Sequence, residues 1–96
     1  MPTIDKIREK IRSRDYFVSS HAEEEMAEDG FERSDVESAI LGGRINRKLT
    51  HDLRGTRYRI EGPAEDGSLM HVICRFRQDQ SLIIITVYAK GQQDAM

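Results

Sequence analysis

The spacing of apolar residues changes once along this chain, at Arg44, and that change sets the fold class. Before it, apolar positions recur every three or four residues, the period of an amphipathic helix. After it they alternate or run continuously, the period of strands. The expected architecture is α+β: a helical hairpin packed on one face of a small, mostly antiparallel four- to five-stranded sheet, with an extra N-terminal helix.

Thr3 or Asp5 opens the first helix, which runs to about Ser13 with Ile4, Ile7 and Ile11 as a thin apolar stripe. So narrow a stripe needs a surface to dock on, in this domain or a partner. "DYFVS", residues 15–19, reads as a short strand. Ser20 and Glu23 have the spacing of a capping box, opening a second helix from His21 to Asp29 with Ala22 and Met26 inward. Gly30 fits the left-handed position that ends it, and Phe31 can pack back on Met26. Ser34 and Glu37 repeat the capping pattern before Val36, Ala39, Ile40 and Leu41, and Gly42-Gly43 ends this third helix.

Strands are expected near 44–50, 55–61, 69–77 and 82–89, with Gly55 and "EGPAEDGS" as turns. In the third, Met70, Val72, Cys74 and Phe76 share one face, and His71, Ile73, Arg75 and Arg77 the other. The last, "LIIITVY", is apolar on both faces, as in a central strand. Unbroken alternation there puts Thr86 and Tyr88 on the side of Leu82 and Ile84. The organisation that follows is an amphipathic helix over 1–14, an α+β domain over 15–89 and a flexible tail over 90–96.

Ninety-six residues, 33% charged and 38% hydrophobic, suit one domain with a single modest core. The start "MPTIDKIREK" lacks the apolar stretch of a secretory signal, and Leu82 to Ile85 is too short a run to cross a bilayer. A single cysteine builds no disulfide framework, so a reducing cytoplasm is the expected location and no membrane is expected as a partner. Residues 1–43 carry 6 basic and 11 acidic side chains, whereas residues 44–96 carry 9 and 6. Arg44, Arg47, Lys48, Arg54, Arg57 and Arg59 fall within sixteen positions against Asp52 alone. That asymmetry suits either an anion-binding face or a solvated, mixed-charge surface.

If the helices cover the face of Met70, the opposite face carries Arg57, Arg59, His71 and Arg75, with Tyr88 a further candidate. His21 can approach that face if its helix starts beside the sheet. Histidine suits proton transfer near neutral pH, and the planar guanidinium suits phosphate. Such a set fits metal-free RNA cleavage, with His21, His71 and Tyr88 as catalytic candidates and Arg57, Arg59 and Arg75 as substrate-binding candidates. Structural readings stand beside these. His21 can simply bond locally at a helix end, His71 can be a cross-strand partner, the arginines can pair with Glu61 and Asp79, and Tyr88 can complete the core. His51, beside Asp52, reads as solvated. His21, His51, His71 and Cys74 lack the close paired spacing of zinc sites, so no metal and no cofactor is expected. Cys74 reads as a core residue.

"YFVSSHAEEEMAEDGFERSDVESAILGG", "GTRYRIEG", "LMHVICRF" and "IIITVY", in that order, resemble the family known as domain of unknown function 4258, across roughly residues 16–89. The shared features are an S-x-H-A helix start, a D-V-x-x-A-hydrophobic helix and a final T-V-Y strand. Glu25 stands where that family often has Arg, and Asp29 replaces the Arg of its E-R-G turn. The resemblance implies a RelE/ParE toxin-like fold, a functional surface on the uncovered side of the sheet, and RNA as a substrate of several relatives. It also admits a non-catalytic interaction domain, binding an antitoxin-like protein or a second copy through the sheet face or the first helix. On that reading Leu82 and Ile84 form an exposed apolar patch.

Overall fold

The computed structural model describes residues 2–50 and 53–91. His51, expected to be solvated, and positions 92–96 of the expected tail lie outside the described residues. Helix α1 spans Thr3–Arg12, strand β1 Tyr16–Val18, helix α2 Ser20–Asp29 and helix α3 Arg33–Gly42. Strands β2 Arg44–Leu49, β3 Arg57–Pro63, β4 Leu69–Phe76 and β5 Leu82–Ala89 complete an α+β domain. The five strands form one sheet in the order β1-β5-β4-β3-β2, with β1 parallel to β5 and every other pair antiparallel.

All three helices belong to one side. α3 packs on β3 and β4, α2 runs along β5, and α1 docks on α3. Ile7 and Ile11 are buried in the same core as Val36, Ala39 and Ile40, so the thin stripe of α1 is satisfied within the chain. Close approach of α3 to the sheet depends on Gly62. A Cβ there would lie 2.0 Å from the carbonyl oxygen of Ala39. Gly30 ends α2 in the left-handed region at φ 73°, and the Phe31 N–H donates back to the Met26 carbonyl at 2.8 Å.

The helix starts differ from the expected caps. Ser19, not Ser20, is the N-cap of α2, and its Oγ accepts from the Ala22 N–H at 3.0 Å. β1 ends one residue earlier than expected, which leaves Ser19 extended and free to cap. Glu32 takes the N-cap position of α3, and the Asp35 carboxylate accepts its backbone N–H at 2.8 Å. That box lies two residues ahead of the expected Ser34–Glu37 pair.

A larger correction concerns β5. The pairing passes from Ile73↔Thr86 to Cys74↔Ile84, so Ile85 is an extra residue in the ladder. A bulge of this kind shifts the alternation by one. Leu82, Ile84 and Val87 therefore face the helices and are fully buried. Thr86 and Tyr88 face the other way, not with Leu82 and Ile84. The apolar patch expected from Leu82 and Ile84 does not exist.

Candidate functional site on the open face of the sheet

The face turned away from the helices is assembled by register. Arg44, Glu61, His71 and Tyr88 lie on one line across β2, β3, β4 and β5. Arg47, Arg59, Ile73 and Thr86 form the next line. Leu49 pairs with Arg57, and Arg75 with Ile83, which pairs in turn with Phe17 on β1. Arg57 and Arg75 follow one position beyond the Tyr58↔Cys74 pair. The sheet therefore brings Arg57, Arg59, His71, Arg75 and Tyr88 to one face. It adds Arg47, Asn46 and Glu61, which the sequence had not placed in the site.

Bulges shape this surface twice. Asn46 is the extra residue in β2, between the Ile45↔Ile60 and Arg47↔Arg59 pairs. Its side-chain oxygen accepts from Arg59 Nε at 2.9 Å, and its amide nitrogen donates to Glu61 at 3.4 Å. Arg47 directly opposite Arg59 is an unfavourable cross-strand pair of like charges. An anion laid across the two removes that repulsion.

His71 is held inside the face. It is only 8% exposed, its Nε2 lies 3.0 Å from Glu61 Oε1, and its ring meets Tyr88 edge-on at 5.1 Å between centroids. Nδ1 is buried and has no hydrogen-bond partner among the described residues. Glu61 collects several donors: Lys90 Nζ stands at 3.3 Å and an Arg44 guanidinium nitrogen at 4.0 Å. The hydrogen bond from His71, followed by Lys90, holds the Glu61 carboxyl below its ordinary pKa. The sequence contains the signal for this pair. A hairpin closed over the turn at Ala64–Ser68 matches positions equidistant from Asp66, and Glu61 and His71 are such positions.

His21 sits apart from His71, at the start of α2 beside the far edge of the sheet. The Ser19 N–H donates to the Ile84 carbonyl at 2.9 Å, and Ser19 Oγ to the Ile85 carbonyl at 2.8 Å. These bonds pin the first turn of α2 against β5. One turn on, Glu25 Oε1 lies 3.3 Å from His21 Nε2 and accepts the Val87 N–H at 3.1 Å. Thr86 Oγ1 donates to the same oxygen. His21 is thus a largely solvent-exposed imidazole oriented by a carboxylate that the sheet edge fixes. A carboxylate that orients an exposed imidazole is the arrangement of a proton-transfer dyad.

Among the described residues no group of three or more histidine, cysteine or acidic side chains could hold a metal. Cys74 lies on the helix side, where burial pushes its thiol pKa up to about 12. No described helix is long and apolar enough to cross a membrane.

Residues 18–89 match the family model described as domain of unknown function, DUF4258. The chain belongs to the DUF4258 family. The matched DUF4258 region starts at the last residue of β1 and ends with β5, so it holds His21, Glu25 and the whole arginine-bearing sheet, while α1 precedes it. No curated protein and no solved structure matches the chain.

Proposed function

We propose that this DUF4258 protein is a toxin-like, metal-independent ribonuclease-fold protein that acts on RNA through the open face of its sheet. A RelE/ParE toxin-like fold is part of this proposal. The observation that carries it is the gathering of Arg47, Arg57, Arg59 and Arg75 on one face by strand register. A chain of net charge −2 thus presents a concentrated cationic surface on a single side.

Cleavage would proceed by attack of a ribose 2′-oxygen on the adjacent phosphorus. A base takes the 2′-hydroxyl proton, the P–O5′ bond breaks, and an acid protonates the leaving 5′-oxygen, leaving a cyclic phosphate. His21 suits the proton transfer, being exposed and held by Glu25. The arginines suit the phosphate, where negative charge builds in the transition state. His71 Nε2 is committed to Glu61 and its Nδ1 is buried, so in this conformation His71 and Tyr88 shape the face from within.

The alternative occupant of the face is a protein, either an antitoxin-like partner or a second copy. Burial of Leu82 and Ile84, and docking of α1 on its own α3, remove the apolar surfaces on which that reading leaned.

The test is cleavage of RNA by purified protein in EDTA, comparing wild type with His21→Ala and His71→Ala, each checked for folding by circular dichroism. Loss of about a hundredfold or more in a folded His21→Ala variant is expected. If wild type cuts nothing, with or without ribosomes, the enzyme reading is wrong and a protein partner takes its place.

A further inference from the structure

Phe17 is the middle residue of β1, and its ring stands on the open face, 51% exposed, in line with Ile83 and Arg75. The core does not use it: Tyr16 and Val18, its neighbours, point into the helix layer instead. The Arg77 guanidinium lies over the ring, 4.9 Å from its centroid. Beside them a depression of about 350 Å³ is lined by Arg75, Arg77, Gln78 and Asp79. The Asp79 carboxylate is turned into its own loop, accepting the Ser81 N–H at 3.0 Å and the Ser81 hydroxyl. Two guanidinium groups against this one carboxylate leave the depression with a net positive charge.

An exposed aromatic ring flanked by arginines has a specific complement. A nucleobase offers a π-face to the ring and to the guanidinium plane, and its phosphate offers the anion. A protein hydrophobe matches the ring but leaves two cations to be desolvated. We propose that Phe17, with Arg77 and Arg75, forms a base-stacking subsite for single-stranded RNA, at the β1 end of the arginine-bearing face. The proposal rests on the reading of that face as an RNA surface and adds which form of RNA it takes. In a duplex the base faces are already stacked on one another, so only an unpaired base can reach the ring.

The chain contains no tryptophan, so Phe17→Trp introduces a single fluorescent reporter at the subsite. Binding of a short single-stranded RNA, measured by anisotropy of a labelled strand, should weaken roughly tenfold in Phe17→Ala and be retained in Phe17→Trp. The introduced indole should be quenched by the single strand and much less by the same sequence as a duplex. Phe17 is half exposed, and circular dichroism with urea titration confirms that each variant is folded. If wild type binds and Arg59→Ala weakens it, but Phe17→Ala binds like wild type, the subsite is refuted while the RNA surface stands. If wild type binds no RNA, the functional reading fails and takes the subsite with it. Self-association of wild type that is lost in Phe17→Ala would assign the ring to a protein contact and overturn the proposal.

Discussion

Glu25 accepts the backbone N–H of Val87 at 3.1 Å and thereby closes the open edge of the sheet. β1 pairs only with Leu82–Ile84 of β5, which leaves the second half of β5 without a strand on its outer side. Unpaired strand edges invite association with other chains. Here α2 lies along that edge, and one carboxylate takes both the Val87 N–H and the Thr86 hydroxyl. The same oxygen reaches His21, so edge protection and orientation of the candidate base share one side chain.

Glu25→Ala should therefore lower stability by about 1–3 kcal/mol, the usual penalty for stranding buried hydrogen-bond donors. The lower end is expected, because the carboxylate is partly exposed and water can replace it in part. Glu25→Gln keeps an acceptor and should lose less. Urea denaturation of the three proteins checks the order. Equal midpoints for wild type and Glu25→Ala would show that the edge bond contributes nothing.

The Glu61–His71 pair predicts an acid limb in the stability curve. The Glu61 pKa is lowered in the fold, mainly by the His71 hydrogen bond and then by Lys90. A lowered carboxylate pKa contributes stability that is present above the unfolded value, near 4.5, and is lost as pH falls through the folded value. Glu61→Gln should be less stable than wild type at neutral pH, and the difference should shrink as pH falls below that range. Thermal unfolding at a series of pH values measures it. A gap that stays constant down to strongly acid pH would contradict the linkage.

Much of this fold could be read from periodicity, because helices and strands bury one face at their own spacing. Ile7 with Ile11, and Met70 with Val72 and Cys74, are such positions, and all five are buried. Periodicity fails where the ladder gains a residue. No local signal in Leu82–Tyr88 marks Ile85 as extra, since every residue there favours a strand. The bulge becomes necessary only once β5 must bury Leu82 and Ile84 and also Val87. The site was legible to the same extent. Arginines in β3 and β4 fall on the expected face because alternation there is unbroken through Arg59 and His71. Glu25 read as a lost positive charge, for its partners Thr86 and Val87 lie about sixty positions away in sequence.

Gly42 and Gly62 should respond oppositely to alanine. A Cβ on Gly62 would enter the backbone of Ala39 at 2.0 Å, and two packed main chains have no side chain to move aside. Gly62→Ala should destabilise by about 1–3 kcal/mol, as overpacked sites do. A Cβ on Gly42 meets only the Pro63 ring, with Cγ at an ordinary 3.5 Å and Cδ at 3.6 Å, in the last turn of α3. Replacing glycine by alanine in a helix favours folding by up to about 1 kcal/mol, so Gly42→Ala should be neutral or stabilising. Chemical denaturation distinguishes the two. A Gly62→Ala variant as stable as wild type would mean that α3 and β3 separate more readily than their packing indicates.

Cys74 gives an independent measure of how firmly the sheet holds to the helices. Its thiol is fully buried between them, and burial raises its pKa to about 12, so the reactive thiolate is scarce in the folded state. At pH 8 a thiol reagent should modify the native protein far more slowly than the urea-unfolded chain. Modification should then require opening of the layer between the helices and β4. Gly62→Ala, which loosens the contact of α3 with β3, should accelerate labelling in native buffer, whereas Gly42→Ala should not. Rapid labelling of wild type without denaturant would place Cys74 within reach of solvent and contradict the packing of β4 beneath the helices.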